Sequence, residues 1–308
     1  MSEREDDSMQ VAWQAYRLAR PGFHLAYYVA GKGPTILFLS GGPGDDHRYL
    51  RPVANPLTRS FHCVLFDQRG TGRSCLPEHN EIMLAISTFF EDIEALRAHL
   101  HLERLNLVGH SWGATLALLY CALHPEQVAS IALIGLGPLS DEFAAVAAVN
   151  KIKPLTARER EELATLSALR RRSIEEGHLE VQRELHIRIA TTLEARGMFS
   201  SPAGIERFQA FFPAHYNYDP HTATYINQQI LPAITRLRLW EQLQGLKAAM
   251  LILYGYQDFE PITQAYLIKE RIPHAQLCFL NECGHVPWLE QPEKFYEVVE
   301  HFLHTYAA

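Results

Sequence analysis

The chain has 308 residues, of which 47% are hydrophobic and 20% are charged, a composition typical of soluble globular proteins. Its net charge of -7 argues against nucleic-acid binding, which usually requires a basic face. The acidic residues 1–10 do not resemble a signal peptide, and no apolar run approaches the roughly 18 residues of a membrane span. We therefore expect a cytoplasmic protein that binds neither nucleic acid nor a membrane.

The cysteines and histidines give no sign of a disulfide framework or a metal centre. The five cysteines are odd in number and form no CxxC pair, so we expect free thiols that lie mostly in the core. Among the 16 histidines there is neither an HExxH motif nor a cluster with cysteines and aspartates. The sequence therefore predicts no metal and no cofactor.

The predicted strands begin with a hairpin and continue as short buried runs. Residues 11–19 and 23–29 alternate between apolar and polar, with Arg20-Pro21-Gly22 as a turn between them. Continuous apolar runs of strand length then follow, as expected for strands that are buried on both faces. These later strands are residues 35–40, 63–66, 105–108, 131–134, 250–254 and, less uniformly apolar, 276–280.

Helical patterns lie between several of these strands. Residues 88–100 carry an apolar stripe with a period near 3.6 residues. Residues 112–123 form a second apolar helix, which Pro125 ends. Strands that alternate with helices imply an α/β fold, in which a mostly parallel central sheet is flanked by helices.

The alternation stops between about residues 138 and 245. Within this part, residues 156–196 are helical in pattern and strongly charged, which predicts a mostly solvated face, and residues 208–218 are crowded with aromatics. The strand pattern resumes at Met250 as if it had not been interrupted. We interpret 138–245 as a helical cap inserted into a core of 1–137 and 246–308, with a separate helical domain as the alternative.

Gly109-His110-Ser111-Trp112-Gly113 is a GxSxG sequence directly after a predicted strand and directly before a predicted helix. This is the context of the nucleophile elbow of α/β-hydrolases, in which the neighbours of the serine are nearly free of side chains and its hydroxyl stands above the sheet edge. We therefore predict Ser111 as a nucleophile. The alternative is a glycine-rich turn with an incidental serine.

A serine hydroxyl needs a base to activate it and an acid to hold that base. In the α/β-hydrolase fold these partners follow in the order serine, acid, histidine, each at the end of a later strand. Asp258 lies in the loop after the seventh predicted strand, and His285 lies in the loop after the eighth. We expect these two residues to complete a catalytic triad, with Glu260 and Glu282 as alternative acids.

Ser40-Gly41-Gly42-Pro43-Gly44 follows the third predicted strand. Acyl transfer needs hydrogen-bond donors that face the developing oxyanion, and backbone N–H groups of glycine-rich loops approach closely. We predict that the N–H groups of Gly42 and Trp112 form the oxyanion hole. The alternative is a plain turn.

Five segments together resemble the proline iminopeptidase (prolyl aminopeptidase) branch of the α/β-hydrolases: SGGPG, DQRGTGRS, GHSWGATLALLY, GYQD and GH. The likeness covers roughly residues 20–137 and 246–305 and is weak in the cap. It implies a Ser–Asp–His triad, a GGPG oxyanion loop and the release of an N-terminal residue. It also implies a mainly architectural role for DQRGTGRS, in which Asp67 and Arg69 pair or brace the loop.

Two positions depart from the family pattern. Ser40 stands where the family usually has histidine, so the loop should be braced differently. Pro213, two positions before His215-Tyr216, falls where a family glutamate binds the α-ammonium of the substrate. The carboxylates that could replace this glutamate are Glu206, Asp219 and Glu241.

Without such a carboxylate the cap pocket is neutral and aromatic, unless its aromatic residues simply form the cap core. A neutral pocket suits an ester or a lactone, so a carboxylesterase or lactonase is the alternative to an aminopeptidase. A non-catalytic ligand-binding module or a lyase on the same fold is the third reading. For binding of a small-molecule or short-peptide substrate we predict Phe211, Tyr216, Glu206 and Trp240.

Overall fold

The computed structural model describes residues 11–215 and 217–307. The strands of this part are β1 (Gln14–Arg20), β2 (Phe23–Ala30), β3 (Thr35–Leu39), β4 (His62–Phe66), β5 (Leu105–His110), β6 (Val128–Ile134), β7 (Ala249–Gly255) and β8 (Gln276–Leu280). They form one sheet in the order β1-β2-β4-β3-β5-β6-β7-β8. No helix in the described ranges is both long and apolar enough to cross a membrane.

The sheet is mostly parallel, which confirms the predicted fold class. β1 and β2 form the predicted antiparallel hairpin, and β2 pairs antiparallel with β4. The remaining pairs, from β4 through β8, are parallel. β6 begins at Val128, three residues earlier than its apolar run indicated, because Ser130 is buried beside Asn106 and takes part in the ladder.

The helices cover the sheet and fill the long interval between β6 and β7. They are α1 (Arg51–Leu57), α2 (Ile86–His99), α3 (Trp112–Leu123), α4 (Asp141–Ile152), α5 (Ala157–Glu175), α6 (Leu179–Arg188), α7 (Ala195–Met198), α8 (Pro202–His215), α9 (Pro220–Arg236), α10 (Leu239–Gln242), α11 (Thr263–Arg271), α12 (Pro287–Glu290) and α13 (Pro292–Tyr306). Between α6 and α7 the backbone is π-helical over Ile189–Glu194. The charged segment 156–196 is therefore not one continuous helix. Its first break is at Gly177, between α5 and α6, where the backbone has a φ of +73°, a conformation that favours glycine.

The apolar side chains of the inserted helices join the clusters that cover the two faces of the sheet. Ile234 of α9 and Leu239 of α10 belong to the cluster that contains α3. Phe208 of α8 belongs to the cluster on the other face, with Phe302 of α13. A small third cluster around Leu166 joins α5 to the π-helical segment. The inserted helices are thus packed onto the core as well as onto each other.

The parallel topology determines where functional side chains can meet. β3, β5, β7 and β8 run in one direction, so their carboxyl ends lie at the same edge of the sheet. In open α/β sheets ligands bind in the crevice outside this edge. The loops that carry Gly42, Ser111, Asp258 and His285 all leave the sheet there.

A buried ion pair fastens the loop after β4 to α2. Arg69, which is 4% exposed, donates from Nε and Nη2 to the carboxylate of Asp92 at 2.8 Å each. Arg20 of β1 donates to the same carboxylate at 2.8 Å. These contacts agree with the architectural role that the resemblance implied for Arg69.

Replacement of Asp92 should destabilise the fold strongly. We expect Asp92→Asn to lower the free energy of unfolding by about 3–5 kcal/mol, because it leaves a buried guanidinium without its counter-ion. Glu94→Gln on the same helix is the matched control. Glu94 forms a partly exposed pair with Arg97, so its loss should cost about 1 kcal/mol or less. Urea unfolding measures both, and equal losses in the two variants would contradict a special role for Asp92.

Candidate active site

The turn that carries Ser111 is too tight for side chains at its two glycines. A β-carbon on Gly109 would lie 2.4 Å from the Gly113 carbonyl oxygen, and one on Gly113 would lie 2.1 Å from the Leu39 carbonyl oxygen. Ser111 itself is forced to a φ of 55° with a ψ of -123°. Its N–H donates to the Ile134 carbonyl at 2.9 Å, which fixes the turn against β6. This is the geometry expected of a nucleophile elbow.

The structure brings Asp258 and His285 together. The Nδ1 atom of His285 lies 2.9 Å and 3.1 Å from the two carboxylate oxygens of Asp258. Both residues are buried, and the loops that carry them follow β7 and β8 as the sequence predicted. The His285 N–H also donates to the Met198 carbonyl at 2.7 Å, so the base loop is held by the inserted helices.

The alternative acids occupy other positions. The Glu260 N–H donates to Asp258 Oδ1 at 3.0 Å, so Glu260 supports the Asp258 carboxylate through its backbone. Its own carboxylate is buried with one oxygen unpaired, and burial, followed by the nearby Asp258 charge, raises the pKa of Glu260 well above its usual value. Glu282 is exposed. The geometry therefore favours Asp258 as the partner of His285.

The glycine-rich loop after β3 has two successive backbone N–H groups that differ in their hydrogen bonding. The Gly41 N–H donates to the Tyr49 hydroxyl. Gly42 has a φ of 108°, a conformation that needs glycine, and its N–H has no acceptor among the described residues. Ser40 donates from Oγ to the Asp45 carbonyl at 3.1 Å and accepts from Gln68. The serine that replaces the family histidine thus braces the loop through its own hydroxyl.

A directed chain of hydrogen bonds joins this loop to the base loop. The His285 carbonyl can only accept, so His110 Nε2, 3.0 Å away, carries a proton and donates to it. Burial, followed by the charge of His285, holds the pKa of His110 well below its ordinary value, so the ring is neutral and its Nδ1 is an acceptor. The Tyr49 hydroxyl donates to this Nδ1 at 3.1 Å and accepts from Gly41. The glycine-rich loop and the loop that carries His285 are therefore connected through His110.

A cavity of about 220 Å³ lies over this site, and its wall includes Gly42, Ser111 and His285. It is smaller than the roughly 300–1,000 Å³ of cavities that take drug-sized ligands. Phe208, Phe212 and Phe259 form part of the wall, and the Phe259 ring packs on His285 with 4.6 Å between ring centroids. Trp112 does not line the cavity with its side chain, because its indole N–H donates to Gln68.

Charged side chains from the inserted helices also line the cavity. Lys151 Nζ lies 3.3 Å from Glu194, and Arg170 donates to His186 Nδ1 at 3.1 Å. Burial raises the pKa of Glu194, but the positive charges of Lys151 and Arg170 outweigh it and hold the pKa below the usual value. Burial, followed by Arg170, lowers the pKa of His186 to about 4. This wall therefore has a neutral histidine and an ionised glutamate that already has its cation.

The substrate-binding residues predicted from sequence are mostly elsewhere. Glu206 is exposed on α8, and Trp240 packs under Arg271, whose Cζ lies 5.0 Å from the ring centroid. Phe211 stacks on His215 with 4.2 Å between centroids, while its neighbours Phe208 and Phe212 face the cavity. These three side chains therefore lie off the cavity, and for Phe211 and Trp240 the aromatic composition did not distinguish a cavity wall from packed structure. Tyr216 lies outside the described residues.

The two other candidate carboxylates of the inserted segment also lie off the cavity. Asp219 caps α9 by accepting from the Thr222 N–H at 2.6 Å and pairs with His79. Glu241 pairs with Arg238 at the surface. Sequence reasoning missed Glu194 because it lies in a charged run and is turned inward by the π-helical segment. Such irregular helical turns are frequent at functional sites, but the sequence carries no clear signal for them.

Asp46, His47 and Asp67 are the one described group whose possible metal-ligand atoms all lie within 4.8 Å of one another. The His47 Nδ1 donates to Asp67 at 2.5 Å, and its Nε2 accepts from Arg51 at 3.1 Å. Asp46 accepts from Arg48 Nε at 2.9 Å. Because these atoms already have protein partners, we assign the group to bracing of the loops after β3 and β4 rather than to a metal.

A family model described as the alpha/beta hydrolase fold matches residues 34–292. The chain therefore belongs to the α/β-hydrolase family. Its curated relatives include the proline iminopeptidase of Lactobacillus helveticus, which is 35% identical over 118 residues, or 36% of this chain and 40% of that protein. The proline iminopeptidase of Saccharolobus solfataricus is 25% identical over 302 residues, or 91% of this chain and 88% of that protein.

Among solved structures, the proline iminopeptidase-related protein of Thermus thermophilus superposes with a TM-score of 0.73 at 21% identity, covering 96% of this chain and 99% of that one. At this identity the likeness shows the fold alone. Together with the family match, the relatives confirm the predicted fold and the resemblance to the proline iminopeptidase branch.

The bonds through Tyr49 should matter for turnover. We expect Tyr49→Phe to lower kcat about tenfold, because it leaves the Gly41 N–H and His110 Nδ1 without partners and loosens the glycine-rich loop. Tyr296→Phe is the matched control. The Tyr296 hydroxyl donates to the Pro52 carbonyl at a distance of 2.9 Å, and neither residue lines the cavity. Steady-state kinetics and thermal unfolding of both variants separate the effects. A kcat of Tyr49→Phe within twofold of wild type would contradict the role of this chain of bonds.

Proposed function

We propose that the protein is a serine hydrolase that works through an acyl-enzyme, with Ser111 as nucleophile, His285 as general base and Asp258 as the acid that orients it. One observation carries the proposal. Both Asp258 oxygens approach His285 Nδ1, and His285 lines the same cavity as Ser111. A carboxylate at Nδ1 leaves Nε2 as the acceptor, so the ring can take a proton from the serine.

The steps follow from these roles. Ser111 Oγ attacks the carbonyl carbon of the substrate while His285 takes the hydroxyl proton, and the carbonyl electrons move onto oxygen. The tetrahedral intermediate then collapses, the bond to the leaving group breaks, and His285 gives its proton to that group. Water attacks the resulting acyl ester by the same route and releases the acid and free Ser111.

We assign the oxyanion hole to the N–H groups of Gly42 and Trp112. Trp112 is the first residue of α3, so its N–H has no acceptor within the helix. The neighbouring Gly41 N–H is taken by Tyr49, which leaves the Gly42 N–H for a ligand. Donors of this kind each contribute about 2.7–4 kcal/mol of transition-state stabilisation. Their presence beside Ser111 supports catalysis over ligand binding alone.

We further propose that residues 138–245 act as a cap over the catalytic core of 1–137 and 246–308. Arg170, Glu194 and Phe208 all come from this segment and line the cavity above Ser111. The segment also fixes the base loop through the bond from the His285 N–H to Met198. In this arrangement the core supplies the reacting groups and the cap closes part of the wall of the substrate cavity.

The release of an N-terminal residue from a short peptide or a related small amide is the activity we favour. The names of the curated relatives suggest it, and the small cavity suits a group about the size of one amino-acid residue. The cavity wall also holds two carboxylates, Asp45 and Glu194, although they are not the ones that the sequence suggested. A carboxylesterase or lactonase is the second candidate. Glu194 already has Lys151 as its cation, so it does not require a positively charged substrate.

Ser111→Ala should abolish turnover. Turnover is measured on two panels of substrates. One contains aminoacyl arylamides with a free amine, led by the prolyl amide, and the other contains short-chain aryl esters. We expect a loss of roughly 10³-fold or more in kcat, because the variant has no nucleophile for the acyl-enzyme. Ser130→Ala is the matched control and should keep its turnover. It removes a buried hydroxyl of β6 that donates to Asn106 of β5.

The two panels separate the candidate activities. Ser111-dependent turnover of the prolyl amide, lost when its amine is acetylated, supports the aminopeptidase. Ser111-dependent turnover of esters alone supports the second candidate. Turnover in neither panel, or turnover that survives Ser111→Ala, would contradict the proposed function and favour a ligand-binding module or a lyase.

The identity of the acid can be tested with two isosteric variants. We expect Asp258→Asn to lower kcat by roughly 10³- to 10⁴-fold, because an amide no longer holds the required tautomer of His285 or stabilises its charged form. Glu260→Gln should cost less than tenfold, because the raised pKa of Glu260 makes its carboxyl close in charge to an amide. Initial rates at pH 7 to 8 measure both. The reverse ranking would assign the acid to Glu260.

A further inference from the structure

Asp45 is a buried carboxylate of the cavity wall that lacks a partner. It is 8% exposed, and its Oδ1 atom makes no hydrogen bond with any described residue. It lines the same cavity as Ser111 and His285. A buried polar atom without a partner costs about 1–3 kcal/mol, and more when it is charged, so such an atom in a cavity wall points to a ligand that completes it.

The backbone holds this carboxylate in place from both sides. The Asp45 carbonyl accepts from Ser40 Oγ at 3.1 Å, and Asp45 forms an isolated β-bridge with Tyr218 of the inserted segment. The flanking residues are tied as well, by the bond from the Asp219 N–H to the Gly44 carbonyl at 2.9 Å. Asp45 is therefore fixed at the junction of the glycine-rich loop and the cap.

The carboxylate lies beside the residue to which we assigned the oxyanion hole. A β-carbon placed on Gly42 would lie 3.3 Å from Asp45 Oδ2. In an aminoacyl substrate the α-amino nitrogen is two bonds from the carbonyl carbon that Ser111 attacks. A group that binds this nitrogen must therefore lie close to the oxyanion loop, whereas Glu206 and Glu241 lie off the cavity altogether.

The charges around Asp45 call for a cation. Burial, followed by the adjacent carboxylate of Asp46, raises the pKa of Asp45 well above its usual range, and no described arginine or lysine lowers it. The other carboxylate of the cavity differs in this respect. Glu194 has Lys151 at 3.3 Å, and its pKa is held low. Asp45 is thus the cavity carboxylate that has no positive partner among the described residues.

We propose that Asp45 binds the positively charged α-amino group of the substrate and so selects acyl groups with a free N-terminal amine. This inference rests on the proposed function, since it assumes that Ser111 attacks the adjacent carbonyl. Binding forms a charge-assisted hydrogen bond between the ammonium and the Asp45 carboxylate, which has no cationic partner among the described residues. Asp45 is then a specificity-determining residue of the loop that also carries Gly42.

A matched pair of substrates tests the proposal. Proline 4-nitroanilide has the amine, and cyclopentanecarboxylic acid 4-nitroanilide has the same ring with carbon in place of nitrogen. We expect Asp45→Asn to lower kcat/KM for the prolyl substrate by about 10- to 100-fold, through both KM and kcat, and to change that of the carbocyclic analogue by less than threefold. The selectivity of the wild type for the amine should therefore largely disappear.

Asp46→Asn is the matched control. Asp46 is the adjacent buried carboxylate, but Arg48 and Asn217 already bond to it, and it does not line this cavity. Its substitution is expected to lower stability and to leave the preference for the amine intact. If Asp45→Asn lowers kcat/KM equally for both substrates, or if Asp46→Asn removes the same preference, Asp45 only braces the loop and the proposal is wrong.

A binding measurement on Ser111→Ala protein separates this proposal from the proposed function. By calorimetry, prolinamide should bind at least tenfold more tightly than cyclopentanecarboxamide, and the difference should vanish in Ser111→Ala/Asp45→Asn. This result supports the amine site even if no turnover is found. Equal binding of the two amides, or a preference that persists without Asp45, overturns the amine site while leaving a Ser111-dependent hydrolase intact.

Discussion

The turn between β5 and α3 has no space for two β-carbons, and much of the site follows from that restriction. Because Gly113 lies against the Leu39 carbonyl, the start of α3 is pressed onto the end of β3. The chain that leaves β3 must then pass directly beside Ser111. A single steric requirement therefore places the serine hydroxyl, the first N–H of α3 and the glycine-rich loop of Gly42 around the same point.

His285, the proposed base, approaches this point from the other side, and its loop is held both by the residues after β7 and by the segment between β6 and β7. Asp258 fixes the ring of His285 from the core. The backbone N–H of His285 donates to the Met198 carbonyl of the segment between β6 and β7. Glu290 strengthens the same junction by accepting from the N–H groups of Gly284 and Ser200. The position of the base is thus coupled to the segment at residues 198–200, and a shift of this segment would pull on the imidazole.

The parts of the site that sequence predicts are those fixed by local sterics. GxSxG between a strand and a helix has few other uses, and the loops after β7 and β8 were limited by strand order, so Ser111, Asp258 and His285 could be placed together. The sheet was predictable for a similar reason, since buried parallel strands read as short apolar runs. In the sequence, His110 is only the unspecified residue between Gly109 and Ser111 in GxSxG. Nothing in the sequence predicted its hydrogen bond to Tyr49.

The cavity wall was not predictable, because it is assembled from elements far apart in the chain. Glu194 lines the cavity from the end of the π-helical segment, which the sequence does not signal. Trp240 has an aromatic side chain suited to a pocket, but it is partly buried and packs against the core. Asp45 reads in the sequence as one of two adjacent loop acids. Only the structure shows that Asp46 has partners and Asp45 Oδ1 does not.

The position of Asp45 also couples substrate charge to catalysis. An ionised carboxylate beside the oxyanion loop opposes the negative charge that develops on the carbonyl oxygen, and the burial of Asp45 reduces the screening of this repulsion by water. A substrate ammonium at Asp45 cancels the repulsion before the reaction begins. A substrate without the amine leaves the carboxylate either ionised and repulsive or protonated and desolvated. Selection by Asp45 would therefore act in the transition state as well as in binding, which is where discrimination between substrates is determined.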